Sequence, residues 1–432
     1  MKNFKKLIGL LSVVAVSFTA CKKNEGGSAS FNNRSTSAAD YSQSSLPVVA
    51  VSGDITSSVT WTAGNVYELS GIVTVRGGAT LTIEPGTYIK SSVNTAGVQN
   101  GVLVIAKDGN INAVGNSSNP IVFTSRNLLD GNASTTGAPG DFGGVIILGN
   151  ATINVGDKLI EGLADQPQFH YGGTNDADNR GNFQYVRIEY AGFQLAPNVE
   201  VNGLTMGGVG SGTTIDHVQV SYGLDDGFEF FGGTVSPSNL VALASDDDQF
   251  DFDNGFTGVL ADAVAIADRN STHSVSGGNS DSNGIESDNN APAEDGSFSL
   301  TPKTHPILVN VSIFGTENTS NIAGSGYRNG IRERRGSEVE LANVIVSGYN
   351  TGIAFDADAP AGPSTITNTS VHGFVNAVTV ASGSFNDGGG NSFVVNSNAD
   401  AFGVSQPWYN TPGSPSTVTL PTWASSWTKL EF

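Results

Sequence analysis

The chain has 432 residues, ample for a large core. It holds 55 glycines and only 14% charged residues, and Val, Ile, Thr, Phe, Asn and Ser outweigh helix-forming stretches, which favours an all-β protein with many turns. A formal charge of −20 argues against nucleic acid, whose binding needs a basic stripe, and suits cation binding or simply a soluble surface.

The first 20 residues carry Lys2, Lys5 and Lys6 and then an apolar run from Leu7 to Ala20. This reads as a secretory signal, too short and one-sided for a membrane span. Its end, "FTAC", resembles a bacterial lipobox, which implies cleavage before Cys21 and lipidation of its sulfur; the alternative is an ordinary signal with an incidental cysteine. Cys21 is the only cysteine, so no disulfide staples the fold. Residues 21–47 comprise the lipidated cysteine and a polar stretch without period, as in a flexible tether. The expected location is the outer membrane, lipid-anchored and facing the cell surface.

From Val48 apolar residues alternate in short bursts punctuated by Gly, Asn and Pro, for example "GIVTVRGG", "GVLVIAKDGNINAVG" and "GGVIILGNATIN". The informative feature is a repeat. "DDGFEFF" (225–231) aligns with "DDQFDFD" (247–253), and "RNGIRER" (328–334) with "NTGIAFD" (350–356), each at an offset of 22. The same element recurs as "NGIES" at 283 and more weakly as "NAVTV" at 376, and a second strand precedes it as "DHVQVSY", "NLVALAS", "ANVIVSG" and "TNTSVHG". Such a period is a solenoid signature: no coil buries its own apolar side, and stacking coils makes parallel sheets round a continuous interior. The predicted fold is a right-handed parallel β-helix, a single domain over 48–432 with a C-terminal cap segment, rather than an antiparallel sandwich. Gly227, Gly284, Gly330 and Gly352 are expected at a coil corner that needs positive φ or a missing Cβ.

The ordered blocks "GATLTIEPGT", "GDFGGVIILGNATIN", "YVRIEYAG", "VNGLTMGGVGSGTTIDHVQVSYGLDDGFEFFGG", "DDDQFDFDNGFTG" and "SNGIESDN" resemble those of a family of β-helix lipoproteins and secreted proteins of Bacteroidota, over roughly Trp61 to Phe374. The resemblance implies a cell-surface or outer-membrane β-helix, in a family without an established activity. Many of its members carry a C-terminal secretion domain; here "PTWASSWTKLEF" stands at the end, which fits lipid anchoring instead.

In "DDGFEFF" alternation puts Phe228 and Phe230 on one face and Glu229 on the other; in "DDQFDFD" Phe250, Phe252 and Asp251 match them. One coil apart, matching residues lie about 4.8 Å from each other. The phenylalanines are therefore expected to stack inside and Glu229 and Asp251 outside, with Asp225 and Asp226 beneath Asp247 and Asp248 at the corner. Two like charges at that spacing repel by roughly 1 kcal/mol in water and roughly 3–4 kcal/mol at an effective dielectric of 20. Raised pKa values, arginine partners or a bound cation relieve this, and oxygen-only ligands suit Ca²⁺. Asp225, Asp226, Glu229, Asp247, Asp248 and Asp251 are the candidate Ca²⁺ ligands; the competing reading is a solvated acidic strip bonded to corner N–H groups. Arg332 is expected at the position on its coil that Glu229 and Asp251 hold on theirs. With Arg328, Arg334 and Arg335 it forms a candidate anion-binding patch, against the blander reading that these arginines pair with Glu333, Glu338 and neighbouring acids.

The five histidines lack zinc-ligand spacing, and "GGVGSGTT" reads as a turn rather than a phosphate loop. Two function classes stay open. One is a non-enzymatic, lipid-tethered β-helix that presents a rigid face to a glycan or an outer-membrane protein partner. The other is a carbohydrate-active enzyme, a polysaccharide lyase or glycoside hydrolase using the Asp cluster, because those enzymes share the architecture. "GLDDG" resembles one polygalacturonase motif, but that family's Gly-His-Gly is missing and "RIE" at 187 departs from its Arg-Ile-Lys.

Overall fold

The computed structural model describes residues 34–35, 45–92, 101–132, 134–196, 199–268, 275–276, 279–317, 319, 328–399 and 420–430. The segment expected to be a signal, Cys21 and nearly all of the expected tether lie outside the described residues. Twenty-five strands join one continuous parallel sheet that wraps into coils. This is the predicted right-handed parallel β-helix. Among the described residues no helix is long and apolar enough to cross a membrane.

Every second residue of a strand faces inward, and coil-to-coil register stacks these residues into columns. One column runs Leu204, Phe228, Phe250, Ile285, Ile331, Ile353, and the next Met206, Phe230, Phe252. The four phenylalanines are fully buried, as the alternation predicts. Phe228 stacks on Phe250 at 5.1 Å between centroids and Phe230 on Phe252 at 5.0 Å, so the ring spacing is the strand spacing.

Two corners explain two sequence signals. Where each coil enters the strands around Val218–Ser221 and their stacked equivalents, one residue per coil is left-handed: His217, Asn239, Asp262, Asn310, Asn343 and Asn368, with φ between 46° and 56°. Asn and Asp tolerate that conformation best, and this is why an Asn opens "NLVALAS" and precedes the apolar run in "ANVIVSG". At the opposite corner stand Gly227, Gly284, Gly330 and Gly352, and none of them has positive φ. They are glycines because the next coil is too close: a Cβ on Gly330 would lie 2.1 Å from Val346 Cγ1 and 2.7 Å from the Gly352 carbonyl oxygen. Gly330→Ala is therefore expected to destabilise by about 1–3 kcal/mol through overpacking. A urea titration checks this, and an unchanged midpoint would show that the corner yields.

Among the described residues, those after Val395 do not extend the stack. After the last strand, Ser392–Val395, the chain turns back along the side, where Ala399 N–H donates to the Glu317 carbonyl at 3.0 Å. Residues 420–430 lie against the outer face near Val241. Gln219 exchanges two hydrogen bonds with the Lys429 backbone, at 2.6 and 2.8 Å, and Trp427 is buried there.

Candidate functional site

The acidic corner is built by the turns that enter the strands Phe228–Gly233, Phe250–Asp253 and Ile285–Asp288. A polar rail runs up it, one rung per coil. Asn202 Oδ1 accepts from Asp226 N–H at 3.1 Å, Asp226 Oδ1 from Asp248 N–H at 2.8 Å, and Asp248 Oδ1 from Asn283 N–H at 2.5 Å. Asn329 Nδ2 continues it to Asn283 Oδ1 at 2.9 Å. Asp226 thus sits under Asp248, as the offset of 22 requires, and each spends one oxygen on the backbone of the next coil.

Beside the rail is the outward column. Register places Thr205, Glu229, Asp251, Glu286, Arg332 and Ala354 in one line. Arg332 does share the line of Glu229 and Asp251, two coils on from Asp251, with Glu286 between. One expectation needs correcting. Glu229 points away from the phenylalanine core but is not in solvent: it is buried, as are Asp226, Asp247, Asp248 and Glu286. Asn202 Nδ2 closes over Glu229 Oε2.

Three overlapping sets of carboxylates, each offering oxygens within 4.8 Å of one another, fill the corner: Asp225, Asp226 and Asp247; Asp226, Glu229 and Asp251; Asp248, Asp251 and Glu286. All six sequence-nominated acids are thereby brought together. Burial, then neighbouring carboxylates, push Asp226, Glu229, Asp248 and Asp251 well above the usual carboxylate range. Burial raises Glu286 to about 7, against the pull of Arg334. The Asp251 Oδ1 atom is buried without a hydrogen-bond partner among the described residues. Asp226, Glu229, Asp248 and Asp251 form no ion pair with a described residue.

The arginines are engaged on the far side. Arg332 bonds Asp281 at 2.5 Å, Asp356 at 2.9 Å and Glu286 at 3.2 Å. Arg334 bonds Glu286 and, at 2.6 Å, Asp288; Arg335 also reaches Asp288 at 2.6 Å, and Arg328 reaches Asp281 at 2.9 Å. The arginines thus pair with neighbouring acids, as the blander reading has it, but the two partners it names, Glu333 and Glu338, are a second correction. Glu333 faces the interior and accepts from Ser337 Oγ at 2.7 Å, while Glu338 meets His305 at 3.0 Å. Glu286 is a site residue that the sequence reading misses, although "NGIES" matches the repeat: setting Ile285 level with Phe250 puts Glu286 beside Asp251. Asp281 and Asp288 give no such signal.

The family model for the pectate-lyase like beta helix domain matches residues 53–428. The chain belongs to that family. No curated protein matches this pectate-lyase-like β-helix by sequence. Among solved structures it is similar to the full-length tailspike protein 2 of an Escherichia coli O157:H7 bacteriophage, at 14% identity and a TM-score of 0.33, over 72% of this chain and 39% of that one. It is also similar to the Dettilon tailspike protein, at 12% identity and a TM-score of 0.32, over 81% of this chain and 61% of that one. The catalytic domain of a GH87 alpha-1,3-glucanase in complex with tetrasaccharides is similar at 11% identity and a TM-score of 0.28, over 80% of this chain and 64% of that one. This pectate-lyase-like β-helix thus spans less than two thirds of each of these three chains.

Proposed function

We propose that this chain is a lipid-anchored outer-membrane protein, non-enzymatic, whose acidic corner binds Ca²⁺ and which presents its β-helix face to a surface glycan or protein partner. One observation carries the cation: three interlocking carboxylate sets, largely buried, one of whose oxygens, Asp251 Oδ1, has no hydrogen-bond partner among the described residues. Burying several like charges without a counter-ion is costly, and a hard cation with oxygen ligands relieves it. Asp225, Asp226, Glu229, Asp247, Asp248, Asp251 and Glu286 would hold the ion.

Millimolar Ca²⁺ is expected to raise the melting temperature more than ionic-strength-matched NaCl. Ligand at a hundredfold excess over Kd stabilises by about 2.7 kcal/mol. Because the ligands must be deprotonated, the increment is larger at pH 8 than at pH 5. Asp251→Asn should shrink it while stabilising the Ca²⁺-free protein. Equal shifts with Ca²⁺ and NaCl would leave only a bonded acidic corner. The anchor is checked separately: mass spectrometry of the mature protein should find Cys21 N-terminal and acylated, and Cys21→Ser should release the protein from the membrane.

A second reading, a carbohydrate-active enzyme, is favoured by one feature. Glu286 is held at about 7 in the same oxygen cluster as Asp248 and Asp251, which burial also pushes well above the usual carboxylate range. Clustered carboxyls raised in this way can serve as acid and base. Release of oligosaccharides from a polysaccharide panel, abolished by Glu286→Gln, would establish this reading over the first.

A further inference from the structure

Between the strands Gly144–Leu148 and Gly181–Glu189 the chain leaves the coils and lies on the outer wall, where Ile160, Phe169 and Tyr171 pack with Ile146, Leu148 and Phe231. In this insertion Lys158–Leu159 pairs antiparallel with His170–Tyr171, and Lys158 reaches Asn254, just past the strand Phe250–Asp253. Lys158 Nζ lies 2.8 Å from Asn254 Oδ1 and 2.6 Å from Glu294 Oε1. Asn254 Nδ2 donates to the other oxygen of the same carboxylate, Glu294 Oε2, at 3.4 Å. Tyr171 OH donates to Asn254 Oδ1 at 3.0 Å, and the buried Phe231 ring lies 5.7 Å from Nζ. The partners are held in place. Asn254 is fully buried, its carbonyl accepts from Asn154 N–H at 3.0 Å, and Glu294 Oε2 accepts from Ala291 N–H at 2.9 Å.

An ion pair needs only Lys158 and Glu294. Here an amine touches the oxygen of a carboxamide, one bond from its carbon, and a single carboxylate touches both nitrogens. That is the full set of groups for amide exchange, already in place. We propose that Lys158 and Asn254 join in an intramolecular isopeptide bond, with Glu294 as the catalytic residue.

Glu294 takes a proton from the Lys158 ammonium, and the freed lone pair attacks Asn254 Cγ. The Tyr171 hydroxyl, already donating to Oδ1, stabilises the oxyanion. Glu294 passes its proton to Nδ2, the Cγ–Nδ2 bond breaks, and Nζ sheds a second proton to the departing nitrogen. Ammonium leaves, an Nζ–Cγ amide remains, the carboxylate is regenerated and nothing is oxidised or reduced. One competitor attacks the same carbon: the Gly255 nitrogen, closing a succinimide. Gly255 N–H is engaged by Thr304 Oγ1 at 2.9 Å, which disfavours it. The bond ties the insertion to a coil 96 positions along the chain. Such a link constrains the unfolded state as a disulfide does, in a chain whose single cysteine makes none of its own.

The test is tryptic peptide mapping of the full chain by mass spectrometry. The expected product is a branched peptide joining the Lys158 and Asn254 segments, lighter than their sum by one ammonia, with cleavage after Lys158 lost. Lys158→Arg should abolish the branch. Glu294→Gln, of the same shape, should slow its formation by about a hundredfold or more, the loss expected when a proton carrier is removed. Circular dichroism matching the parent shows that each variant is folded. Four outcomes overturn the proposal. One is a folded parent in which Lys158 is unlinked and cleaved. Another is ammonia loss at Asn254 that persists in Lys158→Arg, which is the succinimide. A third is a link formed with loss of water, which joins Lys158 to Glu294 instead. The last is a branch that forms equally fast in Glu294→Gln, which removes the carboxylate from the reaction.

Discussion

Phe252→Ala is expected to lower the unfolding free energy by about 3–5 kcal/mol, the range for a large aromatic removed from a core that cannot collapse. The ring is fully buried and has two aromatic neighbours, Phe230 at 5.0 Å and Phe256 at 5.2 Å. Its backbone is fixed on both sides, by Phe230 in the preceding coil and Ser287 in the next one, so neither neighbour can move in to fill the space. Urea unfolding monitored by tryptophan fluorescence checks this, with buried Trp427 reporting from the outer face near Val241. Solenoids can lose cooperativity, so hydrogen exchange in the strands Phe228–Gly233 and Ile285–Asp288 should be measured alongside. A loss below about half a kcal/mol would mean that the phenylalanine columns do not hold the coils together.

Glu333→Gln is the second large effect, and its sign depends on pH. Glu333 stands in an inward column, with Ser287 on one side and Phe355 on the other. It is fully buried, and burial pushes it up to about 8, although Ser337 and Ser287 hydrogen bonds pull the other way. Asp288 and Glu338 raise it further. The folded state therefore keeps a proton that the unfolded chain loses near its ordinary value of 4.5. Between these values the native state binds more protons, so stability falls as pH rises. The contribution is complete below about pH 4.5 and gone above about pH 8. Gln has the same shape, still accepts from Ser337 and does not titrate. The variant should match the parent near pH 4.5 and exceed it by roughly 3–5 kcal/mol near pH 9. Parallel stability curves for the two proteins would show that Glu333 does not titrate across this window.

The raised acids of the corner carry the same sign. Without a cation, Asp226, Glu229, Asp248, Asp251 and Glu286 all make the protein less stable as pH climbs above the ordinary carboxylate range. Glu333→Gln removes one contribution to that slope and leaves theirs. Ca²⁺ at the corner would flatten theirs and leave that of Glu333, so the two sources separate in a single set of melts.

Much of this architecture is local information repeated. A side chain's face is set by alternation within one strand, and its vertical neighbour by the repeat offset. The sequence alone therefore determined that Phe228 lies on Phe250, that Glu229 meets Asp251, and that Arg332 joins the same line. It also marked the four glycines, though by which of two reasons it did not say. The close approach of Val346 and of the next coil's carbonyl decides for the missing Cβ at Gly330, and that distance belongs to the packed stack.

What only the tertiary structure decided is the depth of the acids and the identity of their partners. Alternation tells an outward side chain from an inward one, but not whether anything covers the outside. The Asn202 side chain over Glu229 arrives from 27 positions away. The acids before Arg332 that pair with it stand 46 and 51 positions back, outside the offset of 22 that the repeat exposes, because a long insertion separates those coils. Solvation and Coulomb interaction depend on distance in space. Once insertions of unequal length break the period, a repeat read along the chain no longer gives that distance.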